Sequence, residues 1–142
     1  MNVVVDTCVW SLALRRSTSQ LSSAEQSLRT ELAELISDGR VQMIGPIRQE
    51  LLSGIRDEVY YRRLRDYLRA FDDEPLTRED FEQAASASIT CRSAGVSGSP
   101  SDFLICATAV RHRWSIFTTD HDFNSYAQHL PLRLYTPHLP RP

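Results

Sequence analysis

The segment Asn2-Val3-Val4-Val5-Asp6-Thr7 decides the fold of this chain. Three consecutive valines make a short β-branched run without polar alternation, the pattern of a strand buried on both faces. Asp6 follows the run directly and so stands at the carboxyl end of that strand, where open α/β sheets bind their ligands. Outward from it, Ser23–Ser37 keeps Ala24, Leu28, Leu32, Leu35 and Ile36 at helical spacing, and Asp38-Gly39 stops the helix. Val41–Ile44 reads as a second strand. Pro46 opens a helix striped by Ile47, Leu51 and Ile55, with Gly54 at its end or on the face above Glu50. Tyr60, Leu64, Tyr67, Leu68 and Phe71 define another amphipathic helix. Thr77-x-x-Asp80 resembles a capping box, and the helix after it is expected to bury Phe81, Ala84, Ala85 and Ile89. A Gly/Ser-rich loop, 93–99, precedes a new helix start at Ser99-Pro100-Ser101-Asp102. Trp114–Thr118 and Leu132–Tyr135 read as further strands. Strands alternating with helices predict an α/β fold: one domain over 1–135, a central mostly parallel sheet flanked by helices on both faces. The Pro-rich residues 136–142 are expected to form a disordered tail.

Composition narrows the chemistry. The 142 residues carry a net charge of −2, so no whole-chain basic signal points to nucleic acid. All 16 basic residues are arginine, and lysine is absent. That excludes a Walker loop, a receiver-type phospho-acceptor pocket and Schiff-base chemistry, each of which needs a lysine. Cys8, Cys91 and Cys106 are odd in number and lack metal-ligand spacing, so they are expected to pack as small apolar groups in a reducing compartment. The start MNVVVDTCVW has no charged region followed by a long apolar run, and no stretch approaches the ~18 apolar residues of a membrane span. A cytoplasmic protein is expected.

Acids occupy the positions where such a fold builds its pocket. Asp6 ends the first strand, Glu50 lies one position off the apolar stripe of the helix after the second, and Asp102 sits in the first turn of a later helix. Asp120 follows the strand end at Ile116–Thr119, with Asp122 two residues on. Each has a structural alternative as helix cap, solvated residue or Asx turn. If they converge, a pair of carboxylates ~4 Å apart repels by ~4 kcal/mol at an effective dielectric near 20, and no lysine can offset it. A hard divalent cation is the simplest counter-charge. All-oxygen ligands suit Mg²⁺ or Mn²⁺, the usual ions of phosphate chemistry.

With these segments in view, VVVDTCVW, PIRQELLSG, SPSDFLICATAV and TTDHDF resemble the four acidic motifs of PIN-domain ribonucleases, in particular the VapC toxins of bacterial toxin–antitoxin pairs. The resemblance runs from residue 2 to about 135. It implies a PIN-like fold and a Mg²⁺-dependent endoribonuclease, in which a metal-activated water attacks the phosphodiester in line and leaves a 5′-phosphate and a 3′-hydroxyl. It implies Asp6 and Asp102 as central metal ligands, Glu50 as the second-motif acid, Asp120 as the fourth and Asp122 as auxiliary. Thr118 or Thr119 would orient a water or a phosphate. Cys8 stands where these toxins often have serine. The resemblance also implies a small antitoxin whose C-terminal segment enters the cleft, and a homodimer. A catalytically inactive PIN scaffold that binds RNA or protein is the alternative. A phosphatase of the haloacid-dehalogenase kind is disfavoured, because Asp6-Thr7-Cys8-Val9 lacks the second Asp such an enzyme needs.

Arg62, Arg63, Arg65 and Arg69 share the Tyr60–Phe71 helix with Asp66, either as a face for RNA phosphates or an acidic partner, or as a solvated surface. Tyr60 and Tyr61 could stack bases. Of the four histidines, His121 alone lies inside an acidic motif. Trp10 and Trp114 are expected to be packing residues.

Overall fold

In the computed structural model, residues 1–14 and 18–138 are described. The element order is β1 (Val3–Val5), α1 (Thr7–Leu14), a 3₁₀ turn (Thr18–Gln20), α2 (Ser23–Ser37), β2 (Val41–Gln42), α3 (Gly45–Ser53), α4 (Glu58–Leu68), α5 (Arg78–Ser93), α6 (Pro100–His112), β3 (Ser115–Phe117) and α7 (Asp122–Ala127). The valine run is the middle strand of a parallel sheet ordered β2-β1-β3, with Val3 opposite both Val41 and Ser115 and Val5 opposite Phe117. Val3, Val4 and Val5 are fully buried, as strands covered on both faces must be. The α/β expectation holds, with one short sheet among seven described α-helices.

Local signals explain the helix ends. Ser22 and Glu25 form a reciprocal capping box at the start of α2. At its end Gly39 adopts φ 68°, which lets its amide reach Ile36 O and the Arg40 amide reach Leu35 O, turning the chain into β2. Thr77 and Asp80 cap α5 reciprocally as expected, and Ser99 caps α6 by accepting from the Asp102 amide at 3.2 Å. Gly54 is the C-cap of α3, which leaves Ile55 beyond the helix.

Four expectations need correction. Helix α5 buries Asp80, Ala84 and Cys91, while Phe81 and Ile89 stand 52% and 55% exposed and Ala85 is exposed. The helix turns its small-residue face to α6, and Asp80 is hidden because Arg111 of α6 grips both its oxygens at 2.6 and 2.7 Å. In α4, Leu64 and Leu68 are buried, but Tyr67 is exposed and meets Phe71 edge-on at 5.9 Å. The second strand ends at Gln42; Met43 makes an isolated bridge to Asp73 and Ile44 is the N-cap of α3. Leu132–Tyr135 is not a strand but one parallel bridge, Leu134 to Ile116, carried by the bonds Ile116 N to Arg133 O and Tyr135 N to Ile116 O. Pro131 and Pro137 flank this stretch and lack the amide donors a longer ladder requires.

Of the expected tail, 136–138 is irregular and 139–142 lies outside the described residues. No described helix is long and apolar enough to cross a membrane.

Candidate functional site

Because β1 and β3 are parallel neighbours in register, Asp6 and Thr118 emerge side by side at their carboxyl ends. The Thr118 hydroxyl donates to Asp6 Oδ2 at 2.8 Å and accepts from the Asp120 amide at 3.0 Å, tying the first acid to the fourth. The other oxygen, Oδ1, accepts from the Thr7 amide at 2.8 Å. Half-buried Cys8 adds its thiol, 3.6 Å from Asp6 Oδ2 and 3.5 Å from the Thr118 hydroxyl, and receives the Thr119 amide at 3.4 Å. Cys91 and Cys106 are buried, as expected; Cys8 instead borders the site. Burial raises the Asp6 carboxyl above its ordinary value, with a further push from Asp102, against the pull of these donors.

Asp102 arrives from the other side, in the first turn of α6, where the helix N-terminus favours negative charge. The hydroxyl of fully buried Tyr126 donates to its Oδ2 at 2.7 Å. Burial also raises Asp102, and the charges of Asp120 and Asp122 add to it, while Tyr126 and Ser99 pull it down. Tyr126 itself is pushed far up, by burial first and then by its bond to Asp102.

Asp120 and Asp122 are exposed at the entry to α7, where Asp120 Oδ1 accepts from the Asp122 amide at 2.9 Å. Asp102, Asp120 and Asp122 each offer a carboxylate oxygen within 4.8 Å of the others. Asp6 and Glu50 stand outside that trio but beside it. Thr7, next in chain to Asp6, donates from its hydroxyl to Glu50 Oε2 at 3.1 Å. Glu50 and Asp102 line one open cleft of about 780 Å³ with Ser53, Ser101 and the exposed Phe81. All five acids singled out from the sequence therefore lie at one end of the sheet, three as a cluster and two at its margin.

The donor set is entirely carboxylate oxygen, which fits a hard divalent cation and not zinc. His121 is exposed, and its ring lies 3.4 Å from the Asn124 amide nitrogen. Trp10 and Trp114 are buried packing residues, Trp114 stacking on His112 at 4.4 Å. Three of the four arginines of α4 and its C-cap pair with acids of that helix: Arg62 with Glu58 at 2.6 Å, Arg65 with Asp66 at 3.1 Å and the capping Arg69 with Asp66 at 3.7 Å. Tyr60 donates its hydroxyl to Leu14 O and is structural. Sequence reasoning missed Thr7, Tyr126 and Phe81 as site residues. The first two act through contacts 43 and 24 residues away, which no local pattern reveals.

Residues 3–128 match the family model of the PIN domain. A comparison with curated protein sequences gives no significant match. Among solved structures, the chain is similar to FitAcB from Neisseria gonorrhoeae (TM-score 0.74, 20% identity, 96% of this chain and 99% of that one). It is similar as well to VapBC2 from Rickettsia felis, solved bound to a DNA fragment from their promoter (0.74, 14%, 95% and 98%). A third likeness is to VapBC-1 from nontypeable Haemophilus influenzae (0.67, 14%, 95% and 97%). At these identities the structures speak for the fold, and the family match, covering most of the residues and all five acids, makes the chain a member of the PIN-domain family.

Proposed function

We propose that this chain is a divalent-metal-dependent endoribonuclease of the VapC toxin type, restrained by a small cognate antitoxin. The observation that carries the reading is the trio Asp102, Asp120 and Asp122 within 4.8 Å, flanked by Asp6 and Glu50, at the sheet end of a PIN domain. Acids at that spacing repel by ~1 kcal/mol per pair in water and ~3.5 kcal/mol at an effective dielectric of 20, and a chain without lysine has no compact ammonium to offset this. Asp6, Glu50, Asp102 and Asp120 would hold the cation, Mg²⁺ or Mn²⁺, with Asp122 auxiliary. When bound, the cation supplies charge neutralisation, polarisation of a phosphoryl oxygen and an activated water for in-line attack.

The chain's own residues prepare that chemistry. Thr118 fixes Asp6 and the start of the Asp120 segment with a single hydroxyl. Thr7 steadies the exposed Glu50 at Oε2, a carboxylate open to solvent. Phosphate contacts fall to arginine, backbone amides and the cation, since lysine is absent. What supports an antitoxin partner is that the fold matches VapBC assemblies; a homodimer and a cytoplasmic setting belong to the same reading.

The test is cleavage of RNA with Mg²⁺ or Mn²⁺ by wild type, Asp6→Asn and Asp102→Asn. Each variant should lose more than the ~100-fold typical of removing a residue that only supports a ligand, with its circular dichroism unchanged. Wild-type cleavage should stop in EDTA. Retained activity in either variant rejects the assignment.

A further inference from the structure

We infer that Tyr126 is a positioning residue for the metal site, holding Asp102 in its place among the clustered carboxylates, and that Gly98 is glycine to let it do so. The inference rests on the proposed metal-binding reading of the same site. Tyr126 is the fifth residue of α7 and Asp122 the first, so both lie on one face of this short helix, four residues apart. That face delivers at once a carboxylate to the cluster and a hydroxyl to Asp102 Oδ2, at 2.7 Å. The ring has no freedom to do otherwise. It is fully buried, and its centroid lies 5.1 Å from those of both Phe103, one residue past Asp102, and Phe123, one residue past Asp122.

Gly98 supplies the space. A Cβ there would lie 2.2 Å from the Tyr126 hydroxyl and 2.7 Å from the ring carbon bearing it. No side chain at 98 can therefore coexist with the hydroxyl as it stands: either the loop or the tyrosine must move, and a shift of the tyrosine breaks its bond to Asp102. The physical need is plain: Asp102 is repelled by Asp120 and Asp122, and a free carboxylate side chain would rotate away from them. A donor fixed by packing keeps its oxygens in the cluster without a cation and spares the ordering cost when one binds. Tyrosine suits this role because one O–H on a rigid ring adds no charge to compete with the metal.

Mn²⁺ binding, read by the electron paramagnetic resonance of free Mn²⁺, tests this on wild type, Tyr126→Phe, Gly98→Ala and the double variant. Tyr126→Phe keeps the ring and removes the hydroxyl, and its Kd for Mn²⁺ should rise about tenfold or more. Gly98→Ala should weaken binding similarly, and in the Tyr126→Phe background it should add little, since the bond is already gone. A Tyr126→Phe Kd within twofold of wild type overturns the inference. So does a Gly98→Ala loss of equal size in both backgrounds, which would mark a packing role alone. Wild type failing to bind Mn²⁺ overturns the metal-site reading beneath it as well, which separates the two failures.

Discussion

Replacing Asp102 with asparagine should make the metal-free protein more stable while removing its response to metal. The side chain keeps its size and an oxygen for the Tyr126 hydroxyl. What disappears is a charge that burial disfavours and that Asp120 and Asp122 repel, an opposition strong enough to raise the Asp102 carboxyl despite its hydrogen bonds. Asp120 and Asp122 are exposed, so their share is taken at the dielectric of water: ~0.9 kcal/mol for each pair at 4.8 Å. A neutral acceptor weakens the tyrosine bond by ~0.5–1 kcal/mol. The net gain is about 1 kcal/mol, or ~3–5 °C in Tm for a chain of this length. Thermal unfolding in EDTA at pH 7 and low salt measures it, and the gain should shrink in high salt, where exposed pairs are screened. At an Mn²⁺ concentration 100 times its Kd, wild type should gain ~2.7 kcal/mol and the variant almost nothing, inverting their order. A variant less stable than wild type in EDTA, or stabilised equally by Mn²⁺, refutes the reasoning.

Two further outcomes follow from other buried charges. Asp80→Ala removes both bonds to Arg111 and the α5 capping box, and should cost about 2 kcal/mol in urea unfolding, from the lost cap and the charge-assisted bonds, since the Arg111 guanidinium stays open to solvent; a loss below ~0.5 kcal/mol would contradict that account. The pH dependence should split by site. Asp6 and Asp102 are raised above 3.8, so their contribution to folding is present below that value and lost as pH rises through their folded values. Burial raises Asp80 too, but Arg111 and Thr77 outweigh it and hold it below 3.8; its contribution is present above 3.8 and lost as pH falls through its folded value. In EDTA, stability should therefore rise on acidification from neutrality toward 3.8, and this rise should vanish in the Asp6→Asn, Asp102→Asn double variant.

The parts of the molecule legible in the sequence are those decided by neighbours along the chain. The valine run followed by Asp6, the exact span of α2 and the caps at Thr77 and Ser99 all follow from local chemistry, and each puts an acid or a helix start where the fold uses it. Local pattern failed on α5, where Phe81 and Ile89 looked like the core face. The buried face is set instead by α6, through small residues and an ion pair spanning 31 positions that no periodicity reports. It failed at Leu132–Tyr135 too, where apolar character promised a strand and the flanking prolines allow one bridge. The five acids were visible as residues and their gathering followed from strand ends. Of their supports only Thr118 was legible, and that in another role, since Thr7, Thr118 and Tyr126 become partners of the acids only when β1, β3, α3, α6 and α7 converge.

The place of β1 at the centre of the sheet has a consequence during synthesis. It precedes both of its neighbours in the chain, and one of them, β3, is complete only at Phe117. A nascent chain halted before Ser115 already contains Asp6, Glu50 and Asp102, but lacks the strand that brings Thr118 onto Asp6 and all of the Asp120–Asp122 segment. A chain that stops short of β3 therefore carries three of the five acids and still cannot gather the carboxylate trio, since Asp120 and Asp122 both lie beyond that strand.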